Sequence, residues 1–290
     1  MNREALLLTL TAALLHASWN FAAKRAEGGG PSFVWGYAGA SCVLWVPVTL
    51  FWSIWHPLHP AWSWLAAGFV SGMLHVAYGN LLQSGYSAGD MNLVYPLARG
   101  TGPALTVLVA VVVLRQPTTA EAGVGVALVV CGVLVISFGR RHPASPHRRR
   151  VGILYGVATG ASIAAYTLWD AHAVTALGIP PLPYFTLGVA FQWLGLTPGV
   201  LLGRGRKSLR PLLTRHRTQI LVVATLSPLA YVLVLEALTL APVSVVAPVR
   251  ESSIVVGALL SWLVLREPHP ARRLVGAAVV LAGVAALALG

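Results

Sequence analysis

The sequence predicts an all-α integral membrane protein whose ten transmembrane helices form two inverted five-helix repeats. The first observation is composition, because the chain is 57% hydrophobic and only 10% charged, whereas soluble domains carry about 25% charged residues. The second is the length of its apolar runs, about 20 residues, which is what a helix needs to cross a bilayer. The third is an internal repeat that relates the two halves.

Ten apolar spans can be drawn, with boundaries accurate to a few residues. They do not alternate polar and apolar residues as the strands of a membrane barrel do. Arg3 before the first span would suit a signal peptide, but Glu4 offsets its charge and no small-residue cleavage site follows, so we expect a first helix instead. The spans are 5–23, 33–54, 62–85, 91–114, 119–138, 151–171, 183–203, 218–240, 243–265 and 272–289.

The repeat is strongest at the end of each half. Residues 100–139 align with residues 251–290 without a gap and match at 13 of 40 positions. Because five helices are an odd number, the second repeat must enter the membrane from the opposite side. We therefore expect a first repeat over 1–139, a basic linker over 140–150 and a second repeat over 151–290.

The charge pattern predicts an orientation and argues against a nucleic-acid partner. The net charge is +12, but most Lys and Arg residues lie between the spans. One side of the predicted bundle holds 16 of them, and the other side holds only Arg3 and Arg115. The positive-inside rule explains this bias. We expect the basic loops in the cytoplasm, both termini outside, and a plasma or inner membrane location.

Short motifs recur at matched places in both halves. Because of these motifs and the five-plus-five repeat, the chain resembles the drug/metabolite transporter superfamily, and within it the proteins with two EamA-type domains. The resemblance implies a carrier with a central cavity that moves metabolites, amino acids or drugs, often outward. Many such relatives have both termini in the cytoplasm, whereas the charge pattern predicts the reverse here. The motifs are Trp19-Asn20 and Trp169-Asp170, Pro96 to Arg99 and Pro248 to Arg250, and Leu114-Arg115-Gln116-Pro117 and Leu265-Arg266-Glu267-Pro268.

Five ionisable residues fall within spans, namely Arg99, Asp170, Glu236, Arg250 and Glu251. Each costs about 2.5–3.5 kcal/mol to insert, so each should face a cavity or a partner. The two arginines either bind a carboxylate or phosphate of a substrate or pair structurally with the acids. The three acids are candidates for proton coupling. Glu236 is favoured because no basic residue lies within a turn of it, and a carboxylate bonded to a neighbouring helix is the alternative.

Polar and aromatic residues at helical spacing complete the predicted substrate site. His16, Trp19 and Asn20 share one face of the first span, and Tyr166, Trp169 and Asp170 repeat this pattern in the sixth. Simple packing is the alternative for each of them. The predicted substrate-binding residues are His16, Trp19, Asn20, Tyr78, Gln83, Tyr95, Arg99, Tyr166, Trp169, Asp170, Tyr231 and Arg250.

The predicted function is secondary transport of a small organic solute by alternating access, as an exporter and with proton coupling as a candidate mechanism. A flippase for a lipid-linked sugar and an intramembrane enzyme are the alternatives, although the chain lacks the usual zinc and aspartyl motifs. We expect no cofactor and no metal, and Cys42 and Cys131 should be small core residues. Gly125 and Gly132, with their repeat counterparts, would also suit a homodimer contact.

Overall fold

The computed structural model describes residues 1–24, 30–88, 91–137, 146–203, 206–257, 259 and 270–289. All regular secondary structure within these ranges is helical, which confirms the predicted all-α class. The helices are α1 (Arg3–Lys24), α2 (Gly30–Trp55), α3 (Trp62–Ala88), α4 (Met91–Val112), α5 (Ala120–Ser137), α6 (Pro146–Thr175), α7 (Pro181–Leu201), α8 (Arg206–Arg215), α9 (Arg217–Leu240), α10 (Val243–Arg250) and α11 (Pro270–Leu289).

Several predicted features fall outside the described residues. These are residues 140–145 of the basic linker, much of the second half of the ninth span, and the repeated turn Leu265 to Pro268. The remaining linker residues, 146–150, are helical because α6 begins at Pro146. Proline suits the first turn of a helix, where its missing N–H costs no hydrogen bond.

Six helices in the described part of the chain are long and apolar enough to cross a membrane: α1, α2, α3, α4, α6 and α9. The apolar stretches of α5 and α11 are shorter, at 120–136 and 274–289. Residues such as Leu50, Phe51 and Leu154 are exposed on the outside of the bundle, as expected where lipid replaces water. The total of ten crossings remains a prediction.

Glycines pack α5 directly against α11. A Cβ atom at Gly132 would lie 2.8 Å from the carbonyl oxygen of Gly276, and one at Gly125 would lie 2.9 Å from that of Gly283. In the sequence repeat, however, Gly125 aligns with Gly276 and Gly132 with Gly283. If each glycine is replaced by its repeat counterpart, the contact between Gly125 and Gly283 becomes the contact between Gly276 and Gly132. This is the pattern of an antiparallel pair related by a two-fold axis, and it supports the predicted inversion.

The ninth span differs from its counterpart, α4, in continuity. α4 runs unbroken through Pro96 and Pro103, whereas α10 ends at Arg250, two residues after Pro248. The chain turns at residues 251–252 and is helical again over 253–257. The N–H of Glu251 bonds to the carbonyl of Pro248 at 3.0 Å, which is the tight spacing common at helix ends.

The connector between α7 and α9 contains a helix that the span prediction missed. In α8, Leu212 and Leu213 pack against Phe33 of α2 and Ile220 of α9, and Arg210 is exposed. Apolar residues on one face and basic residues on the other are typical of a helix that lies along a membrane surface. We call the end of the bundle that carries α8 and the start of α6 the basic end.

Candidate functional site

Two predicted arginines meet one buried glutamate where α4 packs against α10. Arg99 Nη1 lies 3.3 Å from Glu251 Oε2, and Arg250 Nη2 lies 3.7 Å from Glu251 Oε1. Arg99 Nη2 also donates to the hydroxyl of Ser253 at 3.3 Å. The side chain of Glu251 is 1% exposed. We call Arg99, Arg250 and Glu251 the arginine cluster; it joins one charge from the first repeat to two from the second.

Part of the arginine cluster is buried without hydrogen bonds. Nε of Arg99 and Nε of Arg250 are both buried, and neither has a hydrogen-bond partner among the described residues. Glu251 Oε2 is in the same condition, so its contact with Arg99 is an ion pair only. Buried polar groups usually find hydrogen-bond partners. The cluster therefore has capacity for a further polar group.

Asp170 forms a second buried polar site, held by hydroxyl groups from three other helices. Its Oδ1 accepts hydrogen bonds from Ser71 Oγ of α3 at 2.7 Å and from the Tyr184 hydroxyl of α7 at 2.5 Å. Its Oδ2 accepts one from the Tyr231 hydroxyl of α9. Asp170 is 1% exposed. The three donors satisfy a carboxylate that would otherwise be costly to bury.

An aromatic group connects these two sites. The ring of His75 stacks on Tyr166 with centroids 4.3 Å apart, and Tyr78 meets Tyr166 edge-on at 5.8 Å. His75 also meets the ring of Tyr231 at 5.6 Å. Tyr166 is within electrostatic range of the arginine cluster and of Asp170. We call Tyr78, Tyr166, Tyr231 and His75 the aromatic wall.

Helix α1 adds a further pair of rings. His16 and Trp19 are 4.8 Å apart between centroids, and His16 is within electrostatic range of Arg99 and Arg250. The buried Nε1 of Trp19 has no hydrogen-bond partner in the described ranges. Asn20 is exposed, and its Nδ2 donates to the backbone oxygen of His16 at 2.8 Å. Asn20 therefore does not share the buried environment of its repeat counterpart, Asp170.

Three other predicted residues lie at the margin of this arrangement or outside it. Glu236 is exposed on α9, one turn before that helix ends. Gln83 is half-buried on α3 beyond Tyr78. Tyr95 is 41% exposed, and its ring centroid is 5.9 Å from Cζ of Arg99. Only Tyr95 of these three contacts the arginine cluster in the described part of the chain.

A cavity of about 720 Å³ opens at the end of the bundle opposite the basic end. Its lining comes from both halves and includes Trp169, whose Nε1 donates to the carbonyl of Ala67 at 3.0 Å. Leu74 also lines the cavity and packs against the buried cluster of Ala98, Ile163 and Tyr166, so the cavity lies near the aromatic wall. At the basic end, by contrast, Trp19 packs into an apolar cluster with Ile220.

Comparison with known proteins identifies the family. The family model described as the EamA-like transporter family matches the chain twice, over residues 3–138 and 150–289. The chain belongs to the EamA-like transporter family. This confirms the predicted resemblance and makes the chain a multi-pass membrane protein of a transporter family. No curated protein matches it. A crystal structure described only as that of a protein is similar in fold, with a TM-score of 0.78, 15% identity, and coverage of 100% of this chain and 98% of the other.

The sequence prediction did not include Ser253 beside Arg99 or His75 of the aromatic wall, and it also missed two of the hydroxyl groups that bind Asp170, those of Ser71 and Tyr184. Ser71 carries no sequence signal, because serine in a membrane helix usually bonds to its own backbone. Tyr184 stands near the start of its span, where a tyrosine usually marks the membrane interface. Both became visible only when α3 and α7 were placed beside Asp170. No cluster of three or more His, Cys, Asp or Glu side chains is placed to hold a metal within the described ranges.

Proposed function

We propose that this EamA-family transporter is a secondary carrier that exports a small organic solute by alternating access. The observation that carries the proposal is the convergence of costly buried groups from both repeats. The arginine cluster joins charges from both repeats. Asp170 bonds to Tyr231 of the aromatic wall, and the core around Tyr166 packs against Leu74, which lines a cavity open at one end. Intramembrane ionisable residues usually mark a solute or ion pathway.

The difference between the two ends supports alternating access. Trp169 lines the open cavity, and its repeat counterpart, Trp19, is packed into the apolar cluster at the basic end. Two related halves in different environments are what an inverted-repeat carrier displays when it is open on one side only. In the alternate state, the halves would exchange these arrangements. From the loop charges, we place the basic end in the cytoplasm.

We further propose that Asp170, rather than Glu236, is the proton-coupling residue. Glu236 is exposed near a helix end, where adding a proton changes no described contact to another helix. Asp170 instead accepts hydroxyl bonds from α3, α7 and α9. A single proton on its carboxyl group would change the bonds to all three helices at once. That is the kind of local event which can bias a two-state equilibrium.

Reconstituted liposomes provide the test. A panel of labelled metabolites would be followed in exchange and in uphill uptake driven by a pH gradient. We expect Asp170→Asn to retain exchange but lose proton-driven accumulation, because its side chain cannot carry the proton. Glu236→Gln is the matched control, since it makes the same chemical change on an exposed face, and it should behave like the parent protein.

Two results would contradict the proposal. Uphill accumulation that survives Asp170→Asn and disappears in Glu236→Gln would return the coupling role to Glu236. A complete lack of exchange across the panel, with correctly folded protein in the membrane, would argue against carrier function.

A further inference from the structure

The arginine cluster has more hydrogen-bond donors than its described neighbours accept. Each guanidinium group presents five N–H donors and no acceptor. The polar contacts of the two groups in the described residues are with the carboxylate of Glu251 and the hydroxyl of Ser253. Both Nε atoms are buried without a partner. Other oxygen atoms are needed to satisfy this site.

Trp19 adds another unsatisfied donor on the same side. Its buried indole N–H has no partner among the residues described. Its ring contacts that of His16, which is close enough to the two arginines to interact with their charges. Indole nitrogen can donate but cannot accept. The unmet groups around the cluster are therefore mainly donors.

Asp170 is in the opposite condition. Its two oxygens already accept three hydroxyl hydrogen bonds, from Ser71, Tyr184 and Tyr231. Of the roughly four lone-pair sites of a carboxylate, only about one, on Oδ2, is left for a cationic ligand. Among the described residues, the unmet buried groups around the cluster are three donors and one acceptor, Oε2 of Glu251. Most of the free capacity is therefore for a group that accepts hydrogen bonds, and the surplus positive charge of the two arginines favours an anionic one.

Of the two arginines, Arg250 is the less engaged. Its approach to Glu251 is 3.7 Å, and no other polar contact of its guanidinium is seen among the described residues. Arg99 is closer to the same carboxylate, at 3.3 Å, and also bonds to Ser253. With two positive groups and one negative group, the cluster has one positive charge left over. A single anionic group would balance it.

We propose that the transported solute is an organic oxyanion, with a carboxylate or similar group bound by Arg250 and an apolar body packed against the aromatic wall. Arg99 is a positioning residue, held by Glu251 and Ser253 beside the bound group. A planar guanidinium offers two parallel N–H groups that match a carboxylate. This inference rests on the proposed carrier function, and it names the class of solute.

Binding to the purified full-length protein tests the inference. The probes are benzoate, its neutral amide benzamide, and the cation benzylamine, which share an aromatic ring and differ in the polar group. Binding would be measured by titration of tryptophan fluorescence and by the shift in thermal unfolding. We expect benzoate to bind and the other two probes to bind much more weakly. Inorganic phosphate, added alone, tests whether the oxyanion suffices without an apolar body, and we expect it to bind more weakly than benzoate.

Variants connect the binding to one side chain. Arg250→Gln should weaken benzoate binding roughly tenfold or more, because a hydrogen-bonded charge is lost. Arg250→Lys keeps the positive charge but loses the two parallel N–H groups of the guanidinium, so it should bind benzoate with intermediate strength. Arg115→Gln removes an exposed loop arginine and should leave binding unchanged. A monodisperse gel-filtration peak would establish that each variant is folded.

The outcomes separate the solute class from the carrier function. Equal binding of benzamide and benzoate, or unchanged benzoate binding in Arg250→Gln, would overturn the oxyanion proposal. If neutral or cationic solutes exchange in liposomes while anions do not, the oxyanion proposal is wrong and the carrier stands. If benzoate binds through Arg250 and no solute exchanges, the oxyanion site stands and the carrier function is wrong.

Discussion

Replacing Gly132 by alanine should weaken the contact between α5 and α11. The added Cβ would lie 2.6 Å from Val280 Cγ2, 2.7 Å from Val280 N and 2.8 Å from the oxygen of Gly276. The side-chain atom can rotate away, but the two backbone atoms cannot, so the helices must move apart. Overpacking of this kind costs about 3 kcal/mol at the upper end of its range, and the better helix propensity of alanine offsets about 1 kcal/mol. The net loss is about 2 kcal/mol.

Gly123 on the same helix provides the control. A Cβ there would meet no atom within 4 Å, so Gly123→Ala should gain up to about 1 kcal/mol from propensity. The two variants then differ by about 3 kcal/mol, or roughly 6–12 °C in Tm at about 2–4 °C per kcal/mol. Thermal unfolding in detergent, followed by tryptophan fluorescence, measures this difference. If Gly132→Ala unfolds at the same temperature as Gly123→Ala or above it, the close packing of the two repeats is wrong.

Two further predictions concern the buried polar sites. Tyr184→Phe removes a hydrogen bond to the carboxylate of Asp170 and should lower the free energy of unfolding by about 1.5–3 kcal/mol. Tyr37 of α2 is the control: it is half-buried beside Phe33, and its hydroxyl makes no hydrogen bond within the described ranges, so Tyr37→Phe should be nearly neutral. Equal losses in the two variants would contradict the bond between Tyr184 and Asp170. Glu251→Gln leaves two buried guanidinium groups without their counter-charge and should cost about 3–5 kcal/mol. Adding Arg250→Gln to that variant restores the original charge of the cluster, so the double variant should recover part of the lost stability. A further loss of stability in the double variant would contradict the shared ion pair.

The sequence alone was sufficient to select Arg99 and Arg250, and pairing with an acid was one of the two roles predicted for them, but it did not show that both meet Glu251. Both stand at matched positions of the repeat, and a charge inside a membrane span needs a partner or a cavity. An inverted repeat brings its equivalent helices around one axis, so equivalent residues tend to converge. The glycines of α5 and α11 were visible in the same way, because their spacing recurs in both halves.

The partners of Asp170 and the exposure of Glu236 could not be read from the chain. Both acids lie within apolar spans. Tyr166, Trp169 and Asp170 mark one polar face of the sixth span, but the sequence does not show which helices that face meets, and the eighth span gives no comparable sign for Glu236. Asp170 faces inward because α3, α7 and α9 supply hydroxyl groups at its depth. Glu236 faces outward although Leu235 beside it is fully buried. Helix orientation of this kind depends on neighbours that are distant in sequence.

Helix α8 restricts how α2 and α9 can move apart at the basic end of the bundle. A Cβ at Gly36 of α2 would lie 2.7 Å from Leu213 of α8 and 3.4 Å from Ile220 of α9, so three helices meet at this seam. Any motion that separates α2 from α9 there must either break the contact between Leu213 and α2 or move α8 together with one of the two helices. In the proposed alternating-access cycle, a covalent link between α8 and α2 should therefore keep the basic end closed without altering any residue of the proposed solute site.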